Sequence, residues 1–210
     1  MASMTIIGIS GASGAGKSRF SETLCSRLRA TSSDQVSILK EDYYYHARDD
    51  MSLEARAQIN YDHPDALEHE LLVNHLDSLR AGKTVEVPQY DYAQHNRTGE
   101  TKTFAPTSIL ILEGILILND PEVRKRLDLK IFVDVALDIC LLRRCQRDIQ
   151  ERGRDLDSVF NQYQTTVRPM YFEFIAPTKN HADLIVPGGG ENQNALTVIQ
   201  SHLESLLVSR

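Results

Sequence analysis

The sequence predicts an α/β fold built around a parallel sheet, and three observations carry that prediction. Short β-rich apolar runs alternate with segments of helical periodicity along the 210 residues, the pattern of βαβ units. The first run, Ile6-Ile7-Gly8-Ile9, leads into Gly11-Ala12-Ser13-Gly14-Ala15-Gly16-Lys17-Ser18, a glycine-rich turn that opens a helical pattern. The length suits one domain, residues 1–210, with a sizeable core. No internal repeat, low-complexity tract or long linker divides it.

Core strands are expected at Thr5–Ser10, Val36–Leu39, Ser108–Leu112, Lys130–Asp134 and Asp183–Val186. Helical periodicity marks Lys17–Arg29, Ala66–Ala81, Leu137–Gln150, Leu156–Ile175 and Asn192–Val208. The segment Ala66–Ala81 carries the fullest set of signals. Asp65 is placed to cap it and Glu68 to complete a capping box, leucines at 67, 71, 72, 76 and 79 form one apolar face, and Gly82 stops it. Pro169 should kink or divide the pattern at 156–175. The stretch from Glu41 to Pro106 is too long for a simple crossover and is rich in Tyr, His and Asp, so residues 41–106 should build an insertion. Thr84–Tyr90 and Glu100–Phe104 are expected to close it as a short hairpin.

Composition narrows the partners. Lys and Arg total 23 against 29 Asp and Glu, a formal charge of −6, which argues against nucleic acid or an anionic membrane surface. No apolar run approaches the ~20 residues needed to span a bilayer, and no signal-peptide layout opens the chain, so a cytoplasmic location is expected. The three cysteines, Cys25, Cys140 and Cys145, lack metal-site spacing and read as reduced, mostly buried thiols.

The chemistry begins at Gly11–Ser18, which fits Gly-x-x-x-x-Gly-Lys-Ser/Thr, a phosphate-binding P-loop. Its glycines let successive backbone N–H groups curl around phosphates at a helix N-terminus, Lys17 supplies a cation, and Ser18 offers a hydroxyl to Mg²⁺. Asp42 lies just past the second strand, on the edge where open α/β sheets place ligands. There it could accept the proton of an attacking hydroxyl, although an aspartate also caps turns. Ile109-Leu110-Ile111-Leu112-Glu113-Gly114 is an apolar strand ending in a carboxylate that could face the P-loop and hold Mg²⁺ through water. Arg143, Arg144, Arg147, Arg152 and Arg154 concentrate five arginines in twelve residues. Such a cluster, about 143–155, could act as a lid over a triphosphate, or Asp148 could pair with Arg144 and Arg152 on a solvated helix face. Tyr61-Asp62 and Tyr90-Asp91-Tyr92 with His95 offer a carboxylate for sugar hydroxyls and rings and an imidazole for a base, while any one of these rings could equally pack a subdomain.

With these residues in place, the chain resembles the uridine kinase (uridine–cytidine kinase) family of the P-loop kinases from Thr5 to about Asn192. The specific stretches are Glu41-Asp42-Tyr43-Tyr44-Tyr45, Tyr61 to Ala66, Tyr90-Asp91-Tyr92 with His95, Glu113-Gly114-Ile115, Arg147 to Asp155, and Pro187-Gly188-Gly189. The resemblance implies the P-loop NTPase fold with five-strand order 2-3-1-4-5, a small β-hairpin nucleoside-binding insertion and an Arg-rich lid. It implies transfer of the γ-phosphoryl group of ATP or GTP, with Mg²⁺, to the 5′-hydroxyl of uridine or cytidine, giving UMP and CMP in pyrimidine salvage, by an enzyme that is commonly a homotetramer. Asp42 would be the base, with Lys17, Arg147 and Arg154 catalytic. Gly11, Ser13, Gly14, Ala15, Gly16, Lys17, Ser18 and Arg147 would hold the nucleotide, and Ser18, Asp42 and Glu113 the metal. Tyr45, Tyr61, Asp62, Tyr90, His95, Arg144, Arg154 and Gln162 would hold the nucleoside.

Tyr44 and Tyr61 stand where many relatives have Phe and add hydroxyls that need partners if buried. His95 matches the form that accepts both pyrimidine nucleosides, and no fused phosphoribosyltransferase domain is expected after the kinase domain. Phosphoribulokinase-like and pantothenate kinase-like acceptors remain alternatives within the superfamily, as does a nucleotide-dependent switch. The aromatic residues around Asp62 and His95 favour a base, and no guanine-reading Asn-Lys-x-Asp motif supports a switch.

Overall fold

The computed structural model describes residues 4–31 and 36–208; residues 1–3, 32–35 and 209–210 of the expected 1–210 unit lie outside the described residues. Strand β1 (Thr5–Gly11) runs into the P-loop, and α1 (Lys17–Thr31) starts at the loop's lysine. Strand β2 (Val36–Lys40) ends in a single 3₁₀ turn, Glu41–Tyr44, followed by the short α2 (Leu53–Arg56) and then α3 (His69–Arg80). The hairpin strands are β3 (Val85–Asp91) and β4 (Asn96–Phe104). After them come β5 (Ile109–Glu113), the short α4 (Pro121–Arg124), β6 (Leu129–Asp134), α5 (Leu137–Gln150), α6 (Leu156–Gln162), the single turn α7 (Arg168–Met170), β7 (Leu184–Pro187) and α8 (Gln193–Val208).

Five parallel strands form one sheet in the order β2-β5-β1-β6-β7, which is 2-3-1-4-5 when the core strands are counted along the chain. The central positions of β1 and β5 follow from composition. Every residue of TIIGISG and ILILE is buried, as strands covered by helices on both faces require. Edge strand β7 leaves Leu184 and Ile185 exposed. Each of these five strands was expected within one residue of its observed bounds. Because all five strands are parallel, β1, β2 and β5 deliver the P-loop, Asp42 and Glu113 to the same edge.

Three expectations need correction. Asp65 does not cap α3, and Glu68 closes no capping box. His63 Nδ1 instead accepts from the Asp65 N–H at 3.1 Å, and Leu67 is extended because it bridges Tyr45, with Glu68 N–H donating to Tyr44 O at 2.8 Å. That pairing withholds residues 66–68 from the helix, which begins at His69, and frees the Glu68 carboxylate to pair with Arg97 at 2.8 Å. Pro169 does not divide its segment. The chain stays helical from Leu156 to Ile175 but widens to π turns at Tyr163–Val167 and Tyr171–Ile175 on either side of the proline. Thr165 and Thr166 hydroxyls donate to the Asn161 and Gln162 carbonyls that the register shift affects. Finally, β4 starts at Asn96 rather than Glu100. Buried Asn96 accepts from the Arg48 N–H at 2.7 Å and donates to Asp49 at 2.7 Å, a long-range anchor for an otherwise polar strand start.

Candidate active site

The P-loop wraps the end of β1 because its backbone leaves the region that side chains favour. Gly14 has φ of +83°, and a Cβ there would overlap the Cys140 carbonyl oxygen of α5. Lys17 is buried, and its ammonium donates to the Ala12 carbonyl oxygen at 3.0 Å. Burial lowers its pKa, opposed by the nearby carboxylates of Glu113 and Asp42. Ser18 Oγ donates to Glu113 Oε1 at 2.7 Å. Burial raises the pKa of Glu113, while Lys17 and the Ser18 hydroxyl favour its charged form. Its second oxygen, Oε2, is buried with no hydrogen-bond partner among the described residues. A serine hydroxyl beside an unsatisfied carboxylate oxygen is the hard oxygen donor set that Mg²⁺ takes, so these residues fit the ion.

Asp42 projects from the 3₁₀ turn after β2 and accepts from the Tyr92 hydroxyl at 3.0 Å. Beyond it lies a nest of rings. Tyr45 packs edge-on to Tyr61 with centroids 5.2 Å apart and lies 5.1 Å from Tyr90, and His95 stacks on Tyr61 at 5.5 Å with planes 19° apart. His95 has φ of +49°, the one positive φ outside glycine among the described residues, and its carbonyl accepts from the Tyr61 hydroxyl at 3.1 Å. Strain of this kind collects at ligand sites, where surrounding contacts hold it in place. Burial and Arg154 lower the His95 pKa, so the ring is neutral near pH 7 and offers one donor and one acceptor. Asp62 is buried beside Arg144. Desolvation raises its pKa against the pull of that guanidinium.

The arginines surround one carboxylate. Asp148, fully buried on α5, lies 2.8 Å from Arg147, 3.5 Å from Arg144, 3.5 Å from Arg152 and 3.9 Å from Arg154. The expected pairs with Arg144 and Arg152 are therefore both present, and two further arginines join them. One negative charge leaves the group a net excess of positive charge on the cavity wall. Arg144 also donates to Ser13 Oγ of the P-loop and to Gln162 Oε1, both at 2.8 Å, and Arg154 donates to the same Gln162 oxygen.

These groups line one cavity of about 490 Å³. Ser13, Gly14, Gly16, Lys17, Ser18, Asp42, Tyr45, Tyr61, Asp62, Tyr90, His95, Glu113, Arg144, Arg147, Arg154 and Gln162 all reach its wall, whereas Gly11 and Ala15 sit behind it and shape the loop. Arg143 and Arg152 line it as members of the expected arginine cluster, and Tyr92 lines it without having been given a role of its own. Tyr92 was detectable as the third residue of Tyr90-Asp91-Tyr92; its contact with Asp42, 50 positions away, was not. Cys25, Cys140 and Cys145 are buried free thiols, as expected. Among the described residues, no helix is long and apolar enough to cross a membrane.

Comparison with known proteins places the chain in a family and its fold among solved kinases. A uridine kinase of Vibrio atlanticus (strain LGP32) is 51% identical over 205 residues, covering 97% of this chain and 96% of its own. A uridine kinase of Vibrio cholerae serotype O1 is 50% identical over 205 residues with the same coverage of both chains. In fold, phosphoribulokinase from Rhodobacter spheroides superposes with a TM-score of 0.66 at 17% identity, over 89% of this chain and 71% of that one. D-glycerate 3-kinase from Cryptococcus neoformans superposes with a TM-score of 0.60 at 14% identity, over 85% and 81%. Residues 6–195 match the Phosphoribulokinase / Uridine kinase family, and the chain belongs to that family of kinases.

Proposed function

We propose that the protein phosphorylates uridine and cytidine at the 5′-hydroxyl, with ATP or GTP as donor, giving UMP and CMP in pyrimidine salvage. The observation that carries this reading is the single cavity, with Lys17, Ser18 and Glu113 at one end, Asp62, His95 and the tyrosine rings at the other, and Asp42 between them. That layout suits one ligand with phosphates and another with hydroxyls and an aromatic base.

In the reaction the nucleoside O5′ attacks the γ-phosphorus in line. The O5′–Pγ bond forms, the bond from Pγ to the β,γ-bridging oxygen breaks, and the hydroxyl proton passes to Asp42. Asp62 accepts hydrogen bonds from the ribose hydroxyls, helped by Arg144 and Gln162, which already bond each other at 2.8 Å. Tyr45, Tyr61 and Tyr90 flank the pyrimidine, and neutral His95 hydrogen-bonds its edge. The backbone of Gly11 to Gly16, with Lys17, cradles the phosphates, and Arg147 and Arg154 neutralise charge on the transferring group. Ser18, Asp42 and Glu113 would hold Mg²⁺, which when bound would supply charge neutralisation at the phosphate oxygens. Residues 41–106 serve as the nucleoside-binding insertion and 143–155 as the lid of a single kinase domain, which we assign to a cytoplasmic homotetramer.

The test is steady-state ADP release with uridine, cytidine, adenosine, pantothenate and ribulose 5-phosphate in turn. Turnover confined to the two pyrimidine nucleosides supports the reading. Turnover with pantothenate or the sugar phosphate instead overturns the pocket assignment, and nucleotide binding without acceptor-dependent turnover overturns the reaction.

A further inference from the structure

The mechanism leaves unused a buried titratable group packed against the turn that carries Asp42. His69, at the start of α3, has both ring nitrogens against carboxylates: Nε2 lies 2.8 Å from Glu41 Oε1 and Nδ1 lies 3.2 Å from Asp120 Oδ2. Two carboxylate acceptors on one imidazole call for a proton on each nitrogen. Glu41 is fully buried, and its other oxygen accepts from the Leu116 N–H at 2.9 Å. The same side chain lies against Gly114, where any Cβ would overlap its carboxylate. Glu41 is therefore a strut between two cavity walls. Asp42 follows it directly in the chain, and the segment it braces begins at Gly114, directly after Glu113.

We propose that His69 is a positioning residue for phosphoryl transfer: donating from both ring nitrogens, it locks the Glu41 strut and so fixes the spacing between Asp42 and Glu113. This rests on the roles given to those two residues under the proposed function. Asp120 completes the chain of contacts, since its other oxygen accepts the Glu122 and Val123 N–H groups at 2.7 and 3.1 Å and anchors it to α4. Loss of the His69 donor would leave the buried Glu41 Oε1 without that partner and let the turn carrying Asp42 shift. A displacement of about 1 Å in a reacting group costs up to ~10²-fold in rate. Because His69 is not among the residues that line the cavity, the loss should fall on kcat.

The experiment compares His69→Phe, which fills the volume without a donor, with His69→Gln, whose amide N–H can approach Glu41 as Nε2 does. Both are assayed well below their melting temperatures for kcat and for KM of uridine and ATP. The expected result is a kcat lower by about 10- to 100-fold in His69→Phe, with both KM values within about threefold, and recovery to within about threefold of wild type in His69→Gln. Wild-type kcat in folded His69→Phe, a loss confined to KM, or no recovery in His69→Gln overturns the proposal. The wild-type protein gives an independent readout should His69→Phe not fold: its His69 ring should show two N–H protons by ¹⁵N NMR at pH 7, and a ring with one N–H overturns it. Absence of uridine turnover in the wild type would instead count against the functional reading, so the two failures are distinguishable.

Discussion

The two ends of the cavity are built differently. At the end proposed to hold the phosphates, Lys17 and Glu113 are 7% and 8% exposed; Lys17 opens α1 after the loop that follows β1, and Glu113 ends β5, which pairs with β1. At the end proposed to hold the acceptor, the side chains come from four separate stretches, around 45, 61–62, 90–95 and 144–162, and Tyr92 at the hairpin turn is 38% exposed. On the proposed assignment, the contrast teaches that a phosphate site can be set by local chain geometry, whereas an acceptor site depends on contacts between distant segments. Asp42 belongs to both, tied to the sheet edge through β2 and touched by Tyr92 from the acceptor side.

Substitutions can break the two ends separately. The largest effect is expected at their junction: Asp42→Asn should lower kcat by ~10²–10⁴-fold with little change in nucleoside KM, read by steady-state kinetics. Next is the acceptor wall's buried charge. Asp148→Ala leaves Arg144, Arg147, Arg152 and Arg154 without their common partner and should cost ~3–5 kcal/mol in a urea titration. Asp62→Ala should raise nucleoside KM by ~10- to 100-fold, the loss of hydrogen bonds to a charged group, while ATP KM stays nearly constant; a matching rise in ATP KM would blur the division between the ends.

The smallest effect concerns pH. Burial alone would lower the His69 pKa, but the hydrogen bond and charge of Glu41 and the charge of Asp120 leave it raised above 6.5. The stability this pairing contributes is therefore complete below about pH 6.5 and is lost as pH rises through the raised folded value. Urea titrations of wild type and His69→Phe at pH 6 and pH 9 should show a stability gap that narrows at the higher pH, and a constant or widening gap would contradict the sign.

What could be read from sequence follows the same division. Gly11–Ser18 and Ile109–Gly114 are contiguous short patterns, so the loop between β1 and α1 and the strand beside it were legible. The start of α3 was not, because the competing partner of Leu67 is Tyr45, 22 positions away and outside any local capping rule. The convergence of four arginines on Asp148 was half legible. Four-residue spacing along a helix predicts Arg144 and Arg152, but Arg154 reaches back only after the turn at Gly153, whose φ of +64° no spacing rule supplies. Asp42 was readable as a carboxylate at a strand end, while the Glu41, His69 and Asp120 contacts behind it exist only in three dimensions.

The most direct test of the account is to identify the product formed from uridine and Mg-ATP by ³¹P NMR. Both cavity ends acting on one γ-phosphoryl group predict a single new monoester on the primary 5′-hydroxyl, growing in step with ADP. Inorganic phosphate accumulating with ADP and no nucleotide ester, or an ester on a ribose 2′- or 3′-hydroxyl, would contradict it.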